Sequence, residues 1–189
     1  MRQDEIDRWD KGLQWPAITL SKASRDNAHQ VAMCESTLKV IHFDKIPKKY
    51  SKKIGCSKVP RSNDALYITD SDDWYFIEFK NGKIDSADVY RKCYDSLLMM
   101  LDMKIVDNLS FFREKGHYIL VYNGEKYGKS RPSPSREAIY AKLHHLAREE
   151  ERLFGIDNFE GYLFKETHTY DKSTFEEKFI KPMEKAEQL

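Results

Sequence analysis

A chain of 189 residues, 40% of them hydrophobic and 33% charged, is long enough to bury a substantial core and too apolar to be disordered. The formal net charge of +1 excludes a uniformly basic protein that binds nucleic acid through bulk charge, but it leaves room for a local basic surface. These values favour a single domain over residues 1–189.

Three scattered cysteines, Cys34, Cys56 and Cys93, form no CxxC pair, so the sequence indicates neither a disulfide framework nor a cysteine zinc site. The first residues are charged, and no apolar run approaches the length of a bilayer-spanning helix. We therefore expect a cytoplasmic protein without membrane association.

The first predicted element is a helix. Ser24 or Asp26 could cap it, and it would run through Ala28 and Val31 toward Leu38. Residues 40–43 (VIHF) could either extend this helix or form a first strand, and the pattern leaves both possibilities open.

A basic segment follows at residues 45–61, which contain seven basic side chains and no acidic one. The basic residues are Lys45, Lys48, Lys49, Lys52, Lys53, Lys58 and Arg61. A solvated lysine-rich loop is the ordinary interpretation of such a run, and a surface that neutralises nucleic-acid phosphates is the alternative.

Two adjacent strands are predicted next. Residues 64–69 open with Asp64 and alternate apolar with polar side chains, and residues 70–73 read as a hairpin connection. Residues 74–79 (WYFIEF) are almost wholly apolar, as expected of a central strand covered on both faces, and the strand ends at Lys80 before an Asn-Gly pair.

The remaining pattern alternates helices and strands. Asp85 or Ser86 should cap an amphipathic helix, whose apolar positions are Val89, Cys93, Leu97 and Leu101. Residues 117–122 predict a buried strand. Beyond it we expect a helix over 134–155, a strand over 159–168 and a short last helix opened by a capping box at 173–176 and interrupted by Pro182.

In this order of elements, with Asp64 on one strand and Glu78 and Lys80 on the next, the chain resembles the PD-(D/E)XK, or restriction-endonuclease-like, nuclease superfamily. The resemblance covers residues 23–123. It implies an α/β fold with a central mixed sheet and an α-β-β-β-α-β core, followed by an α-β-α elaboration over 124–189. Asn63 stands where the family has proline.

The resemblance also implies site residues. Asp64 corresponds to the first metal-binding aspartate, Glu78 to the second carboxylate and Lys80 to the catalytic lysine. Members often add a catalytic glutamate on the first helix, for which Glu35 is the candidate. Small members often cut both strands as dimers, which makes a homodimer an expectation of the resemblance only.

The residue types themselves support metal-dependent hydrolysis of phosphodiesters. Glu78 and Lys80 lie two apart on a strand, so their side chains leave the same face, and Asp64 on the neighbouring strand can approach them. Two carboxylates, the carbonyl of Phe79 and water suit Mg²⁺ or Mn²⁺ as the cofactor, and such an ion activates water and neutralises charge in the transition state. Lys80 could position the nucleophile or stabilise an oxyanion.

The candidate nucleic-acid-binding residues are Lys48, Lys49, Lys52, Lys53, Lys58, Arg61 and Arg91. Arg91 and Lys92, on the helix after the motif, could reach a phosphate, although Arg91 could instead pair with Asp88 or Asp95 along the helix. The sequence therefore favours a nuclease that acts on DNA through metal-activated water.

Nothing in the chain separates DNA from RNA as the target, and two interpretations other than a nuclease also stay open. In one, Glu78 and Lys80 form a solvated pair at a strand end and Asp64 only caps a turn. In the other, the chain keeps the fold without cutting, as a binding module with a protein partner or as a subunit of a complex. The near-neutral net charge motivates the second interpretation.

Overall fold

The computed structural model describes residues 15–26, 28–129 and 153–188 and shows a mixed α/β architecture. In this part of the chain the strands are β1 (Ala17–Thr19), β2 (Arg25–Asp26), β3 (Val31–Ala32), β4 (Lys39–His42), β5 (Ala65–Ile68), β6 (Trp74–Lys80), β7 (Gly116–Tyr122) and β8 (Glu166–Asp171). Six of these strands form one central sheet, and β2 pairs with β3 in a separate hairpin.

The central sheet has the strand order β1-β4-β5-β6-β7-β8. The pairs from β1 to β6 are antiparallel, whereas β6, β7 and β8 run parallel. Antiparallel neighbours can be joined by short turns, but parallel neighbours need a longer crossover, and the one from β6 to β7 contains helices over Ser86–Asp102 and Leu109–Lys115. The sheet is therefore mixed, and the change of direction occurs at β6.

The helices of the described residues cover both faces of this sheet. They are α1 (Leu20–Ala23), α2 (Ile46–Ile54), α3 (Ser86–Asp102), α4 (Leu109–Lys115), α5 (Gly124–Lys129), α6 (Lys172–Phe175) and α7 (Lys181–Ala186). Short 3₁₀ turns lie at Phe43–Lys45 and Ile156–Phe159, and a π-helical turn at Glu176–Ile180 joins α6 to α7. None of these helices has the length and apolar character needed to span a bilayer.

Alternation along β6 separates two layers of core. Trp74 and Phe76 pack on the face that carries Val89 of α3 and Phe112 of α4. Ile77 and Phe79 pack on the other face against the C-terminal helical segment, which comprises residues 172–186 (α6, the π-helical turn and α7). Because successive side chains of a strand point to opposite faces, Glu78 and Lys80 lie on the same face as α3.

Several predicted elements are confirmed. The strands expected around residues 64–69, 74–79 and 117–122 are β5, β6 and β7. The helix after the motif is α3, and Asp85 caps it by accepting a hydrogen bond from the Ala87 amide at 3.0 Å. Residues 40–43, for which the pattern left two possibilities, form strand β4 and the start of a 3₁₀ turn.

The predicted helix over residues 24–38 is wrong, because Arg25–Asp26 pairs with Val31–Ala32 in an antiparallel hairpin. The Ser24 hydroxyl accepts from the amides of Met33 and Cys34, which lie nine and ten residues away. The Asp26 carboxylate accepts from the amides of Ala28 and His29 and makes a turn. The segment folds as the β2–β3 hairpin and not as a helix.

The predictions for the C-terminal part are only partly confirmed. Most of the helix expected over 134–155 lies outside the described residues. The strand expected over 159–168 starts later, at Glu166, because a 3₁₀ turn and a turn at Gly161, with φ of +70°, come before it. Asp171, and not Ser173, caps α6, and Pro182 lies in the first turn of α7 without ending the helical path.

Candidate metal and phosphate site

Asp64 and Glu78 converge on one ammonium group. The Nζ atom of Lys92, on α3, lies 3.2 Å from Asp64 Oδ1 and 2.6 Å from Glu78 Oε1. Asp64 immediately precedes β5, and Glu78 lies near the end of β6. The two carboxylates that the sequence places on neighbouring strands are therefore brought to one point.

Backbone contacts hold Asp64 in this position. Its amide donates to the carbonyl of Ile77 at 3.1 Å, and its Oδ2 accepts from the amide of Phe79 at 2.6 Å. The segment before it is bound to α3, because the Asn63 amide donates to Ser96 Oγ at 3.0 Å. The start of β5, the end of β6 and α3 are thereby fixed relative to one another.

Lys80 lies beside this pair and joins it to a third carboxylate. Its Nζ atom is 3.2 Å from Glu78 Oε1 and 2.8 Å from Asp88 Oδ2, at the start of α3. Arg61 Nε approaches the other Asp88 oxygen at 4.0 Å. Lys80 therefore contacts Glu78, one of the two predicted metal ligands, at the same oxygen atom that binds Lys92.

The cluster contains more acidic than basic groups, with three carboxylates (Asp64, Glu78 and Asp88) and two ammonium groups (Lys80 and Lys92). Burial and the charge of Asp64 raise the pKa of Glu78, and burial also raises the pKa of Asp64. The pKa of Lys92 is raised as well, because the Asp64 and Glu78 carboxylates outweigh its desolvation. The raised pKa values of the two acids follow mainly from burial, and the raised pKa of Lys92 follows from the two carboxylates beside it.

Access to solvent differs across the cluster. The Glu78 side chain is fully buried, whereas 13% of the Asp64 side chain and 16% of each lysine side chain are exposed. The interpretation of Glu78 and Lys80 as a solvated strand-end pair is therefore wrong. Asp64 and Lys80 are therefore the acidic and basic groups that solvent reaches, while Glu78 lies beneath the surface.

One buried atom of the cluster is left without a partner. Glu78 Oε2 makes no hydrogen bond, although a buried carboxylate oxygen normally has one. Phe79 donates its amide toward Asp64, and the carbonyl of a strand residue points to the same side as its amide. The donor set of Asp64, Glu78 and the Phe79 carbonyl is thus composed of hard oxygen atoms, which fits a divalent cation such as Mg²⁺.

Glu35 does not belong to this site, which corrects the prediction. It lies between β3 and β4 and not on a helix. Its neighbour Cys34 packs in the core layer on the opposite face of the sheet, and its neighbour Ser36 donates to Glu184 at 2.6 Å. The prediction failed because it assumed a helix where the chain forms the β2–β3 hairpin.

The basic segment is largely a helix, α2, and not the loop that the sequence suggested. Pro47 lies in its first turn, and Gly55 ends it in the left-handed conformation with φ of +71°. The candidate side chains on this segment are exposed at Lys48, Lys49, Lys52, Lys53 and Lys58. Their role in binding nucleic acid stays a prediction.

Of the two arginines proposed to bind nucleic acid, Arg61 is nearer the cluster. Its backbone amide donates to Asp95 Oδ2 at 2.8 Å, and its side chain approaches Asp88. Arg91 instead lies 3.7 Å from Asp95 along α3, in one of the two pairings that the sequence allowed, and its side chain is largely exposed.

The sequence did not predict that Lys92 binds both Asp64 and Glu78, or that Asp88 binds Lys80. The spacing of four residues between Asp88 and Lys92 places both on one face of α3, next to the buried Val89 and Cys93, and this was the available signal. Asp44 is a further acidic neighbour, which accepts from Ser62 Oγ at 3.0 Å and whose charge acts on Asp64 and Lys92.

Comparisons with known proteins identify no relative of this chain, so a function can be inferred only from the residues of the site. No protein-family model, curated protein or solved structure matches the chain.

Proposed function

We propose that the protein is a metal-dependent nuclease of the PD-(D/E)XK type that hydrolyses phosphodiester bonds of DNA by direct attack of water. The observation that carries the proposal is the convergence of Asp64 and Glu78 beside Lys80, with the Lys80 Nζ atom 3.2 Å from Glu78. The order of strands supports it, because the antiparallel strands β4, β5 and β6 lead through α3 to the parallel strand β7, as in the core of that superfamily.

Each residue has a role that follows from its position. Asp64, Glu78 and the Phe79 carbonyl would hold Mg²⁺ or Mn²⁺, which supplies an activated water and charge neutralisation when bound. Lys80, which Glu78 and Asp88 hold in place, would donate to a phosphate oxygen or to the attacking water. Lys92 keeps the two carboxylates together and compensates their charge in the absence of an ion.

The exposed lysines of α2 and Arg61 would bind the phosphates on either side of the cut. Arg61 approaches Asp88, so this surface begins at the edge of the acidic cluster. Phosphate contacts of this kind provide affinity without reading sequence. They would offset the repulsion between DNA and the acidic cluster.

The proposal is tested by the metal dependence of cleavage. Purified protein is incubated with linear, plasmid and branched DNA, and with RNA, in Mg²⁺, in Mn²⁺ or in EDTA. We expect cleavage of DNA with either ion, its loss in EDTA and its return when Mg²⁺ is added in excess. Cleavage that persists in EDTA, or no cleavage of any substrate, would contradict the proposal, and cleavage of RNA alone would correct the substrate.

Neutralising the α2 lysines should weaken DNA binding and its dependence on salt. In the triple variant Lys48→Ala, Lys52→Ala, Lys53→Ala we expect the slope of log K against log salt to fall by about 2 to 3, because each lost phosphate contact removes about 0.9. The measurement is a fluorescence-anisotropy titration of duplex DNA at several salt concentrations with Ca²⁺ in place of Mg²⁺.

The matched control for this triple variant replaces three exposed lysines of the C-terminal helical segment, Lys178, Lys181 and Lys185, by alanine. These lysines lie on the other face of the sheet and should leave the slope unchanged. Equal loss in both triple variants would mean that α2 is not a specific binding surface.

One observation favours a second candidate function, a binding module that keeps the fold without cutting. The Lys92 ammonium group lies within hydrogen-bond distance of both carboxylates, at the place where a cation would be held. A permanent internal ion pair would make metal unnecessary. Under this alternative the protein binds DNA or a protein partner in EDTA as well as in Mg²⁺, and no variant of Asp64 or Glu78 changes that affinity.

A further inference from the structure

A second cluster of ionisable side chains lies on the opposite face of the sheet from Asp64 and Glu78. His117 of β7, together with Glu166 and His168 of β8, offers ligand atoms that all lie within 4.8 Å of one another. These positions alternate with Tyr118 and Thr167, and they share a face with Ile119 and Tyr170, which pack against the C-terminal helical segment. The function proposed above uses none of these three residues.

The distances in this cluster resemble those of a metal coordination shell. His117 Nδ1 lies 3.4 Å from Glu166 Oε2, and His168 Nε2 lies 3.5 Å from the same oxygen. For zinc bonds of about 2.0 to 2.1 Å, tetrahedral geometry places neighbouring ligand atoms about 3.4 Å apart. Two of the three ligand separations therefore already have the required length.

His117 provides an independent observation that points to a ligand. Its side chain is only 6% exposed, yet neither of its ring nitrogens makes a hydrogen bond. Buried polar atoms almost always have a partner, so two unsatisfied nitrogens on one ring need an explanation.

The surroundings would hold the His117 ring in the orientation that a ligand needs. The ring stacks on Tyr75 at a centroid distance of 4.4 Å and an interplanar angle of 17°. Its Nε2 atom faces Asp73 Oδ1 at 3.7 Å. A metal-binding histidine usually directs its second ring nitrogen to a carboxylate or carbonyl, and Asp73 has the position of that partner.

We propose that His117, Glu166 and His168 form a binding site for a first-row transition-metal ion such as Zn²⁺. Two imidazoles and one carboxylate are a ligand set that such ions accept, and they leave a fourth position for water. The half-exposed Glu166 side chain forms the open side of the site. A bound ion would link β7 to β8 on the face of the sheet opposite the cluster of Asp64, Glu78 and Lys80 (the nuclease cluster).

The test uses the whole protein after removal of metals with a chelator. Zn²⁺ binding is measured by calorimetry, and tetrahedral coordination by the visible absorption of Co²⁺. We expect one high-affinity Zn²⁺ site per chain, with a Co²⁺ spectrum of the tetrahedral type. At a Zn²⁺ concentration of 100 times Kd, the melting temperature should rise by about 5 to 10 °C.

Two variants at accessible ligands avoid the folding risk of changing buried His117. Glu166→Gln and His168→Gln should each weaken Zn²⁺ binding at least a hundredfold and abolish the Co²⁺ spectrum. Asp73→Asn should weaken binding about 10- to 100-fold, because it changes only the partner of a ligand. Circular dichroism without metal should match the wild type in each case.

The control variants separate this site from the rest of the protein. His29→Gln changes an exposed histidine that is paired with Asp26, and Asp64→Asn changes the nuclease cluster. Both should keep the Zn²⁺ affinity and the Co²⁺ spectrum. No binding by the wild type, or binding that Glu166→Gln and His168→Gln leave unchanged, would overturn the proposal without affecting the nuclease proposal.

Discussion

Replacement of Glu78 by glutamine is expected to lower the rate of metal-dependent DNA cleavage about a thousandfold. A bound ion contributes several kcal/mol of charge stabilisation in the transition state, and each 1.36 kcal/mol corresponds to about a factor of ten in rate. Glutamine keeps the shape of the side chain but removes the anion that the ion needs. Asp64→Asn should have an effect of the same size, because it removes the other carboxylate.

The loss of activity must be separated from a loss of structure. In Glu78→Gln the new side-chain amide oxygen can still accept a hydrogen bond from Lys92, and Lys80 keeps its contact with Asp88, so we expect the variant to fold. Glu114→Gln and Asp107→Asn are matched controls, since both change exposed carboxylates outside the cluster. Cleavage at wild-type rate by folded Glu78→Gln or Asp64→Asn would remove these residues from the mechanism.

Replacement of Lys92 by methionine should produce the largest effect on stability. Lys92 is the cation shared by the buried Glu78 and the partly buried Asp64, and removal of one partner from a buried ion pair costs about 3 to 5 kcal/mol. For a chain of this size, that corresponds to a fall in melting temperature of about 10 °C or more. Lys83→Met, at an exposed position, should change it little.

The pH dependence of this destabilisation has a definite sign. Without Lys92, the pKa of Glu78 should rise further above its value in the unfolded chain. The stability that a protonated Glu78 contributes is present at low pH and is lost as the pH rises through the folded-state pKa. The difference between wild type and Lys92→Met should therefore be larger at pH 8 than at pH 5, as measured by chemical denaturation. A difference independent of pH would mean that Lys92 acts through packing alone.

The same variant addresses competition between Lys92 and a metal. If the Lys92 ammonium group and a divalent cation neutralise the same carboxylates, Mg²⁺ should raise the melting temperature of Lys92→Met more than that of the wild type. Equal shifts in the two proteins would indicate that the cation does not use these carboxylates.

The strands and helix around the site could be predicted because local pattern and tertiary structure agree there. Residues 74–79 are apolar on both faces and form β6 between two neighbouring strands, while Val89, Cys93 and Leu97 repeat at helical spacing and form the buried side of α3. The hairpin at 25–32 could not be predicted in this way. It depends on hydrogen bonds that the Ser24 hydroxyl accepts from amides nine and ten residues away, which no local pattern reports.

Within the site, the spacing of Glu78 and Lys80 predicted correctly that they share a face of the sheet. The contact of Lys92 with both carboxylates depends on the approach of α3 to the start of β5, where the Asn63 amide donates a hydrogen bond to Ser96 Oγ. Local sequence pattern does not report this tertiary contact. The cluster at His117 was missed because His117 is far from Glu166 and His168 in the sequence, and only the parallel pairing of β7 with β8 brings them together.

We propose that Asp64 and Glu78 form a site for a divalent cation, and titration with Mg²⁺ measures that binding. Mg²⁺ prefers oxygen ligands, so it should not report on the histidine cluster. Calorimetry should show Mg²⁺ binding to the wild type and to Asp107→Asn, with binding lost in both Asp64→Asn and Glu78→Gln. Equal Mg²⁺ binding by all four proteins, or none by the wild type, would contradict the claim.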